Sequence, residues 1–181
     1  MKRNLNRHIK QSGFTLTELA VVTVIGAVLI GASLKPVQGM IADSRANSEI
    51  QELSVVIPKI QNKYFNKSDY TGVTTAGLAN NGIFRKERVS GTSLVNRWGG
   101  AITVAVATTT TTNDSVTLTY TKVPEQECKG IIPQLDNIVR IVTVGGTSVK
   151  ADGAGTDIDA LGTQCVAGGS NNTVVYTVGK Q

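Results

Sequence analysis

Charged side chains are scarce in this sequence, and histidine and cysteine are nearly missing. Charged residues make up 17% of the 181 positions, against about 25% in ordinary soluble domains. The one histidine, His8, lies among the first 13 residues, and the two cysteines, Cys128 and Cys165, form no CxxC motif. Zinc sites and Cys–His nucleophiles therefore have no ligand set in this chain.

Sequence patterns that carry catalysis or nucleotide binding are missing as well. No pair of carboxylates stands at a helical spacing that suggests acid–base catalysis. The pairs Gly99-Gly100 and Gly145-Gly146 lack the strand–helix context of a phosphate-binding loop. We therefore expect a protein that is not an enzyme and that has neither a cofactor nor a metal site.

The net charge of +5 is concentrated at the N-terminus. Four cations, Lys2, Arg3, Arg7 and Lys10, precede residue 14 and no acid does, whereas the remainder holds 14 basic and 13 acidic residues. A nearly neutral body lacks the basic face that phosphate binding needs, so nucleic acid is not expected as a primary ligand. Cations ahead of an apolar segment indicate a leader whose Lys and Arg stay cytoplasmic.

The segment 14–34 is the longest apolar run, and its only charged residue is Glu18. Its 21 residues form a helix of about 31 Å, enough to cross the core of a bilayer. An ordinary secretory signal has its small cleavage residue after the apolar run, but here Gly13 precedes it. Cleavage at Gly13 retains the apolar helix in the mature protein.

Beyond Pro36 the pattern becomes that of an amphipathic helix. Apolar side chains recur at steps of three and four, with polar residues such as Glu49 and Glu52 between them, at Ile50, Leu53, Ile57, Ile60 and Tyr64. The spacing predicts a helix from about Phe14 to Phe65 with at least one interruption. Proline deletes a backbone hydrogen bond and glycine weakens a helix, so kinks or melted turns are expected at Gly26, Gly31, Pro36 and Pro58.

The sequence of the second half of the chain predicts mainly strands and turns. After an irregular connection over residues 66–100, with a short helix at Thr74–Asn80, β-type segments are predicted at Ala101–Ala107, Ser115–Thr121, Ile138–Val144, Thr147–Lys150 and Thr173–Val178. Gly145-Gly146 is a hairpin signal, Pro124 resembles a helix start, and Asp157–Gly162 predicts one helical turn. The fold class is α+β, a long N-terminal helix packed on an antiparallel sheet.

Two cysteines permit one intramolecular pairing, and an exported chain meets an oxidising compartment. The residues alone leave two possibilities for Cys128 and Cys165, a disulfide or two buried free thiols. A bridge would close a loop of about 38 residues and stabilise the fold by about 4 kcal/mol in the chain-entropy model.

The run Gly13-Phe14-Thr15-Leu16-Thr17-Glu18, between a basic leader and an apolar helix, resembles the prepilin signature of type IV pilins and type II secretion pseudopilins. The resemblance implies a membrane peptidase that cuts between Gly13 and Phe14 and methylates the new amine of Phe14. It divides the chain into a leader, residues 1–13, a helix that is first membrane anchor and then filament core, residues 14–66, and an α+β head, residues 67–181, in a pilin-like fold.

Glu18 has a physical reason to act in assembly. An ionisable residue within an apolar helix is costly and needs a partner, and within its own run Glu18 is predicted to have none. Cleavage creates a cationic amine on Phe14, and pairing with that amine, in the same or a neighbouring subunit, would set the axial register. The plainer alternative is a single-pass anchor in which Glu18 lies at the membrane interface.

Later residues extend the resemblance to type IVb pilins, most of all to the conjugative thin-pilus and toxin-coregulated groups. The matching segments are Tyr70–Val106, notably Asn96–Val104, then Val123-Pro124 followed by Cys128, and Cys165 ahead of the last strand. In these groups two cysteines close a C-terminal region exposed on the filament. The resemblance therefore implies a disulfide between Cys128 and Cys165.

Two other residue groups have structural and functional interpretations. Arg85-Lys86-Glu87-Arg88 is expected to be a solvated loop or a contact with an acidic patch on the next subunit, with DNA contact as the alternative. Trp98 beside two glycines is expected to anchor the sheet on the helix, with ligand stacking as the alternative.

The function that these residues and the resemblance imply is that of a major pilin, a structural subunit that polymerises through its N-terminal helix. Its implied partners are copies of itself, the prepilin peptidase and the inner-membrane assembly machinery. The subunit pool would lie in the inner membrane and the assembled pilus outside the cell. Rival functions are a minor pilin, a type II secretion pseudopilin, and a membrane-anchored protein that binds DNA or a surface.

Overall fold

The computed structural model describes residues 15–180, and within them the side chains of residues 31–38 are left undescribed. The chain divides into two compact units, residues 1–38 and 39–181. We call residues 39–180 the head. The predicted leader, residues 1–13, lies outside the described residues.

A single helix, α1 (Leu16–Lys63), includes the apolar segment and continues into the head. Both Pro36 and Pro58 lie inside it, so the predicted interruption of the helix does not occur between Leu16 and Lys63. The helix accommodates each proline at the cost of one backbone hydrogen bond. A kink at Gly26, Gly31, Pro36 or Pro58 stays a prediction.

Within the head, α1 buries one face. Leu53, Ile57 and Ile60 are fully buried, and Ile50 and Tyr64 pack partly buried against the same core. These are the residues of the predicted apolar stripe, which is therefore confirmed as the contact face. Each fully buried side chain of this size stabilises the fold by about 1.5–3 kcal/mol relative to exposure.

The sheet of the head has seven antiparallel strands, in the order β1-β2-β3-β4-β7-β5-β6. The strands are β1 (Val89–Ser90), β2 (Ser93–Val95), β3 (Ala101–Ala107), β4 (Ser115–Val123), β5 (Ile141–Val144), β6 (Thr147–Lys150) and β7 (Asn172–Gly179). Together with α1 this gives the predicted α+β class. The last strand in the chain lies between β4 and β5, in the middle of the sheet.

Alternation of side chains explains why one face of this sheet builds the core. In β4 the buried Val116, Leu118 and Tyr120 alternate with half-buried threonines. The ring of Tyr120 stands edge-on to that of Tyr176 in β7, with centroids 5.7 Å apart, a geometry that aromatic quadrupoles favour. The core therefore lies between this face of the sheet and the helices.

Three shorter helices complete the head: α2 (Thr75–Asn80), α3 (Glu125–Ile131) and α4 (Ile158–Gly168). Thr74 caps α2, because its hydroxyl accepts a hydrogen bond from the Gly77 N–H at 3.0 Å. Asp157 caps α4 through the N–H groups of Asp159 and Ala160. The single turn predicted at Asp157–Gly162 is thus the start of a longer helix.

The Gly145-Gly146 signal is confirmed as the turn between β5 and β6, and both glycines have positive φ, +59° and +89°. Two consecutive positive φ values define the mirror-image turn that suits the twist of a hairpin, and glycine adopts them without strain.

Within the described residues, no helix combines the length and the hydropathy of a membrane span. The predicted span, residues 14–34, extends beyond the described side chains at residue 14 and at residues 31–34.

Candidate assembly site

The first turns of α1 expose apolar side chains on every side of the helix. The exposed fractions between Leu16 and Ile30 run from 55% to 86%, at Leu16, Leu19, Val21, Val22, Val24, Ile25, Val28, Leu29 and Ile30. An amphipathic helix would leave only its polar face exposed, whereas a helix that is apolar all round belongs inside a larger assembly or a membrane. This segment therefore needs surroundings that one copy of the chain does not supply.

Glu18 lies in the first turn of α1 and closes a reciprocal cap with Thr15. The Thr15 N–H and hydroxyl both lie 3.4 Å from Glu18 Oε2, and the Glu18 N–H donates to the Thr15 hydroxyl at 3.3 Å. The expectation that Glu18 has no partner within its own run is therefore wrong. The spacing Thr-x-x-Glu is the capping-box signal, and a carboxylate there also favours the positive end of the helix dipole.

Only some of the other predicted assembly and processing positions lie within the described residues. Gly13 and Phe14 lie outside the described residues, and at Gly31 and Pro36 only the helical backbone is described. Gly26 is described, and a Cβ atom added there would meet no other atom within 4 Å. The cleavage position, the methylated amine and the pairing of Glu18 with that amine remain predictions.

A mostly buried group of four charges joins the second half of α1 to the segments on either side of β1 and β2. Arg88 Nη2 lies 2.7 Å from Glu49 Oε2 and 2.8 Å from Glu52 Oε2, and Arg97 contacts the same two oxygens at 3.1 and 3.3 Å. Both glutamates are almost completely buried, with side-chain exposures of 1% and 2%. We call Glu49, Glu52, Arg88 and Arg97 the ion quartet.

The ion quartet corrects two sequence-based expectations. Arg88, expected in a solvated loop or on a neighbouring subunit, is buried and turned toward α1. Glu49 and Glu52, which looked like polar residues between the apolar ones, lie on the buried face of the helix. Their spacing of three residues, which places side chains on one helix face, is the signal that could have revealed them.

Burial dominates the electrostatics of the quartet. It raises the pKa of the Glu49 carboxyl, while the charges of Arg88 and Arg97 act in the opposite direction. Among the described residues, Glu49 Oε1 and the Tyr120 hydroxyl are buried without a hydrogen-bond partner. Two buried carboxylates are tolerable only with both cations in place, so removal of either arginine would be costly.

Beside the quartet, Trp98 packs partly buried against the core, and its Nε1–H donates to Glu127 Oε1 at 3.3 Å. The anchor interpretation of Trp98 agrees with this packing. Among the described residues, no three His, Cys, Asp or Glu side chains are grouped as metal ligands.

The disulfide between Cys128 and Cys165 joins α3 to α4, with their Cα atoms 5.9 Å apart. Both residues are fully buried in the core. The two cysteines are 37 positions apart in sequence, and the segment between them holds the β5–β6 hairpin. The disulfide therefore holds α3 and α4 against each other beside β7.

The sequence matches two family descriptions, PilS N terminal over residues 43–179 and the prokaryotic N-terminal methylation motif over residues 9–34. The chain belongs to the PilS family of type IVb pilins. The match covers the whole quartet, the disulfide and the sheet. A comparison with curated proteins gives no match.

Solved type IV pilins have the same fold as this PilS-family chain. The crystal structure of type IV b pilin from Salmonella typhi aligns with a TM-score of 0.56 at 22% identity, over 72% of this chain and 97% of that one. TcpA, a type IV pilin from Vibrio cholerae El Tor biotype, aligns with a TM-score of 0.56 at 14% identity, over 74% and 98%. The NMR structure of the S. typhi type IVb pilin PilS gives 0.50 at 23% identity, over 73% and 94%.

Proposed function

We propose that this protein is the major subunit of a type IV pilus and that it polymerises through the apolar part of α1. The observation that carries the proposal is the segment Leu16–Ile30, whose apolar side chains are exposed all around the helix in a single copy. Packing these side chains against the same segment of many neighbours removes that surface from water, at about 25 cal/mol per Å². Membership of the PilS family supports the same function.

Before assembly the same segment would hold the subunit in the inner membrane, with the leader on the cytoplasmic side. The match to the N-terminal methylation motif over residues 9–34 supports cleavage between Gly13 and Phe14 by a prepilin peptidase and methylation of Phe14. The proposal includes the inner-membrane assembly machinery as a partner and an extracellular filament as the product.

Glu18 is proposed to contribute to assembly beyond its role in the cap. Its hydrogen bonds with Thr15 are long, at 3.4 Å, and the side chain is exposed. Inside a filament core or a bilayer, a carboxylate held only by such bonds would be penalised. The amine of Phe14, freed by cleavage, would supply the missing countercharge in the same subunit or the next.

The decisive experiment combines imaging with mass spectrometry of sheared surface filaments. Cells that carry the gene should show filaments, a deletion strain should lack them, and this protein should be their most abundant component, beginning at a methylated Phe14. Filaments whose subunits retain residues 1–13 would overturn the processing mechanism. A trace amount of this chain in filaments made of another subunit would make it a minor pilin instead.

A further inference from the structure

A small pocket lies in the head, where the end of α1 meets the end of β7. Its volume is about 150 Å³, and a cavity of about this size holds one six-membered ring. We call it the α1-end pocket. Its lining residues are Gln61, Asn62, Phe65, Tyr70 and Lys180. Apolar rings combined with a few polar groups, here two carboxamides and one ammonium group, are typical of small-molecule sites.

Hydrogen bonds fix two walls of the pocket. Gln61 Nε2 donates to the Gly179 carbonyl at 2.9 Å, and the hydroxyl of the buried Tyr70 donates to the same oxygen at 3.3 Å. Within the described residues, Gln61 Oε1 and the carboxamide of Asn62 have no hydrogen-bond partner. The pocket therefore offers free amide donors and acceptors, and a ligand that binds there does not have to order the Gln61 side chain.

Phe65 gives the pocket an exposed aromatic face. This residue is 75% exposed, whereas every other aromatic residue between positions 15 and 180 is buried or half-buried. Single exposed apolar residues are common on protein surfaces, but this ring stands beside free carboxamides. A sugar ring has a face of C–H groups, which packs on an aromatic ring, and hydroxyls at its edge, which bind carboxamides. A pyranose ring therefore matches both parts of the lining.

Positive charge surrounds the pocket. Four lysines lie in the last turns of α1, just after the helix and at the end of β7, and within the described residues none of them forms an ion pair: Lys59, Lys63, Lys67 and Lys180. The only carboxylate among residues 59–73 is Asp69. Lys180 Nζ donates to the Lys67 carbonyl, which leaves two of its three N–H donors for a ligand. Four cations beside one carboxylate favour an anionic ligand.

We propose that the α1-end pocket binds one ring of a carboxylated sugar, the chemical class of the sialic and uronic acids. The ring packs on Phe65, its hydroxyls form hydrogen bonds with Gln61 and Asn62, and its carboxylate pairs with the ammonium group of Lys180. Hydrogen bonds between charged groups are stronger than those between neutral ones, so Lys180 selects the acid over a neutral sugar. The pocket lies within a single head, so binding does not depend on assembly, and the inference goes beyond the proposed function.

Single-stranded nucleic acid is another anion that contains rings. Its binding sites follow the backbone over several nucleotides and stack successive bases on several aromatic side chains. The described part of the chain exposes one aromatic ring, and the pocket has room for one six-membered ring. A sugar acid therefore fits this site better than nucleic acid does.

The binding test uses the full-length protein, purified in a detergent whose headgroup contains no sugar. The probes are polygalacturonate and polysialic acid, each compared with its methyl ester, which keeps the ring and the hydroxyls but loses the charge. We expect an acidic polymer to bind and its ester to bind about tenfold more weakly, because the hydrogen bond to a charged group is lost. Binding of neither acid, or equal binding of acid and ester, would overturn the proposal.

Substitutions connect the binding to the pocket. Phe65→Ser and Lys180→Gln should each weaken binding of the acidic polymer about tenfold, whereas Phe65→Tyr keeps the aromatic ring and should bind as the unchanged protein does. Lys86→Gln is the matched control, since it removes one exposed lysine ahead of β1, away from the pocket, and should leave binding unchanged. Urea unfolding with an unchanged midpoint shows that each variant is folded.

Two further results would contradict the assignment. If Lys86→Gln weakens binding as much as Lys180→Gln does, the polymer binds through net charge and not through the pocket. If a single-stranded thymidine oligonucleotide binds more tightly than both acidic polymers and responds to the same substitutions, the pocket is a site for nucleic acid. In either case the proposal falls, whereas the proposed function is tested separately by the filaments.

Discussion

Arg88 donates two hydrogen bonds to Glu52 Oε2, one from Nη2 at 2.8 Å and one from Nε at 3.0 Å. Arg88 Nε also donates to Glu52 Oε1 at 3.2 Å. These contacts link α1 to the turn that precedes β1, and both side chains are buried. The planar fork of arginine matches a carboxylate in a way that a lysine ammonium does not. The packing of the second half of α1 on the rest of the head therefore depends on a charged contact as well as on apolar side chains.

Removal of Arg88 should destabilise the head severely. Arg88→Met leaves two buried carboxylates facing the single charge of Arg97, and we expect a loss of about 3–5 kcal/mol in the free energy of unfolding. Urea denaturation of the purified protein measures this. Arg85→Met, three residues earlier and at an exposed position, is the control and should change the free energy of unfolding by about 0.5 kcal/mol or less.

A combined variant checks the cause of that loss. Arg88→Met together with Glu49→Gln and Glu52→Gln removes the buried charges along with their cation, so stability should recover in part. If the triple variant is no more stable than Arg88→Met alone, the loss comes from packing of the arginine stem and not from uncompensated charge.

Loss of the disulfide should weaken the head by about 4 kcal/mol in the chain-entropy model, because the bridge closes 37 positions of sequence. Cys128→Ser and Cys165→Ser should have similar effects on the midpoint of urea unfolding. Alkylation of the oxidised protein should label neither cysteine, since both are bonded and buried. Labelling of both in purified pili would show that the bridge does not form.

Two substitutions at Glu18 separate the cap from the charge. Glu18→Gln keeps a side chain that can complete the capping box with Thr15 but removes the carboxylate, whereas Glu18→Ala removes both. If pairing with the Phe14 amine sets the register, both variants should be processed and inserted normally and yet form few filaments. Precursor processing, membrane levels and surface filaments are measured in the same cells.

A different result would limit the role of Glu18 to capping the start of α1. Normal filament numbers with Glu18→Gln but few with Glu18→Ala would mean that the cap, and not the charge, is what assembly requires. Normal numbers with both would show that apolar packing alone sets the register.

We expect the free energy of unfolding to decrease in acid because of Asp114, which lies in the loop before β4. Asp114 accepts from the N–H groups of Thr109, Thr110 and Thr111, and these hydrogen bonds lower the pKa of its carboxyl well below the usual range. A lowered pKa stabilises the fold above the ordinary aspartate value of about 3.9, and that contribution is lost as the pH falls toward the folded-state pKa.

Asp136, whose pKa is lowered by the Thr156 hydroxyl, acts in the same direction, whereas the raised pKa of Glu49 opposes both. Urea unfolding between pH 7 and pH 3 should show decreasing stability. Asp114→Asn should flatten this decrease, and an unchanged slope would exclude Asp114 as its source.

Much of the fold follows from local patterns, whereas the buried charges do not. Ala101–Ala107 and Thr147–Lys150 form strands with the predicted bounds, since β-branched residues between turn signals leave few alternatives. The strands Val89–Ser90 and Ser93–Val95 were missed because two or three residues carry no period. The quartet depends on Arg88 and Glu52, 36 positions apart, a tertiary contact with no signature in either segment.

At the N-terminal site, too, the sequence predicts one feature and misses another. The apolar run predicts a segment that needs a neighbour, and its exposed side chains agree. The partner of Glu18 was missed, although Thr15 stands three residues earlier in a recognised capping pattern. The free N–H groups and hydroxyls of a helix start offer local hydrogen bonds, and these lower the cost of a charge in an apolar run.

The central place of β7 has a consequence for how the chain acquires its shape during synthesis. Residues 172–179 pair with β4 on one side and with β5 on the other. A nascent chain that lacks them has two separate pieces, β1 to β4 and the β5–β6 hairpin, and each presents an open edge. The sheet of the head can therefore close only after residues 172–179 have left the ribosome. A chain truncated before residue 172 would leave two strand edges unpaired, and such edges favour aggregation.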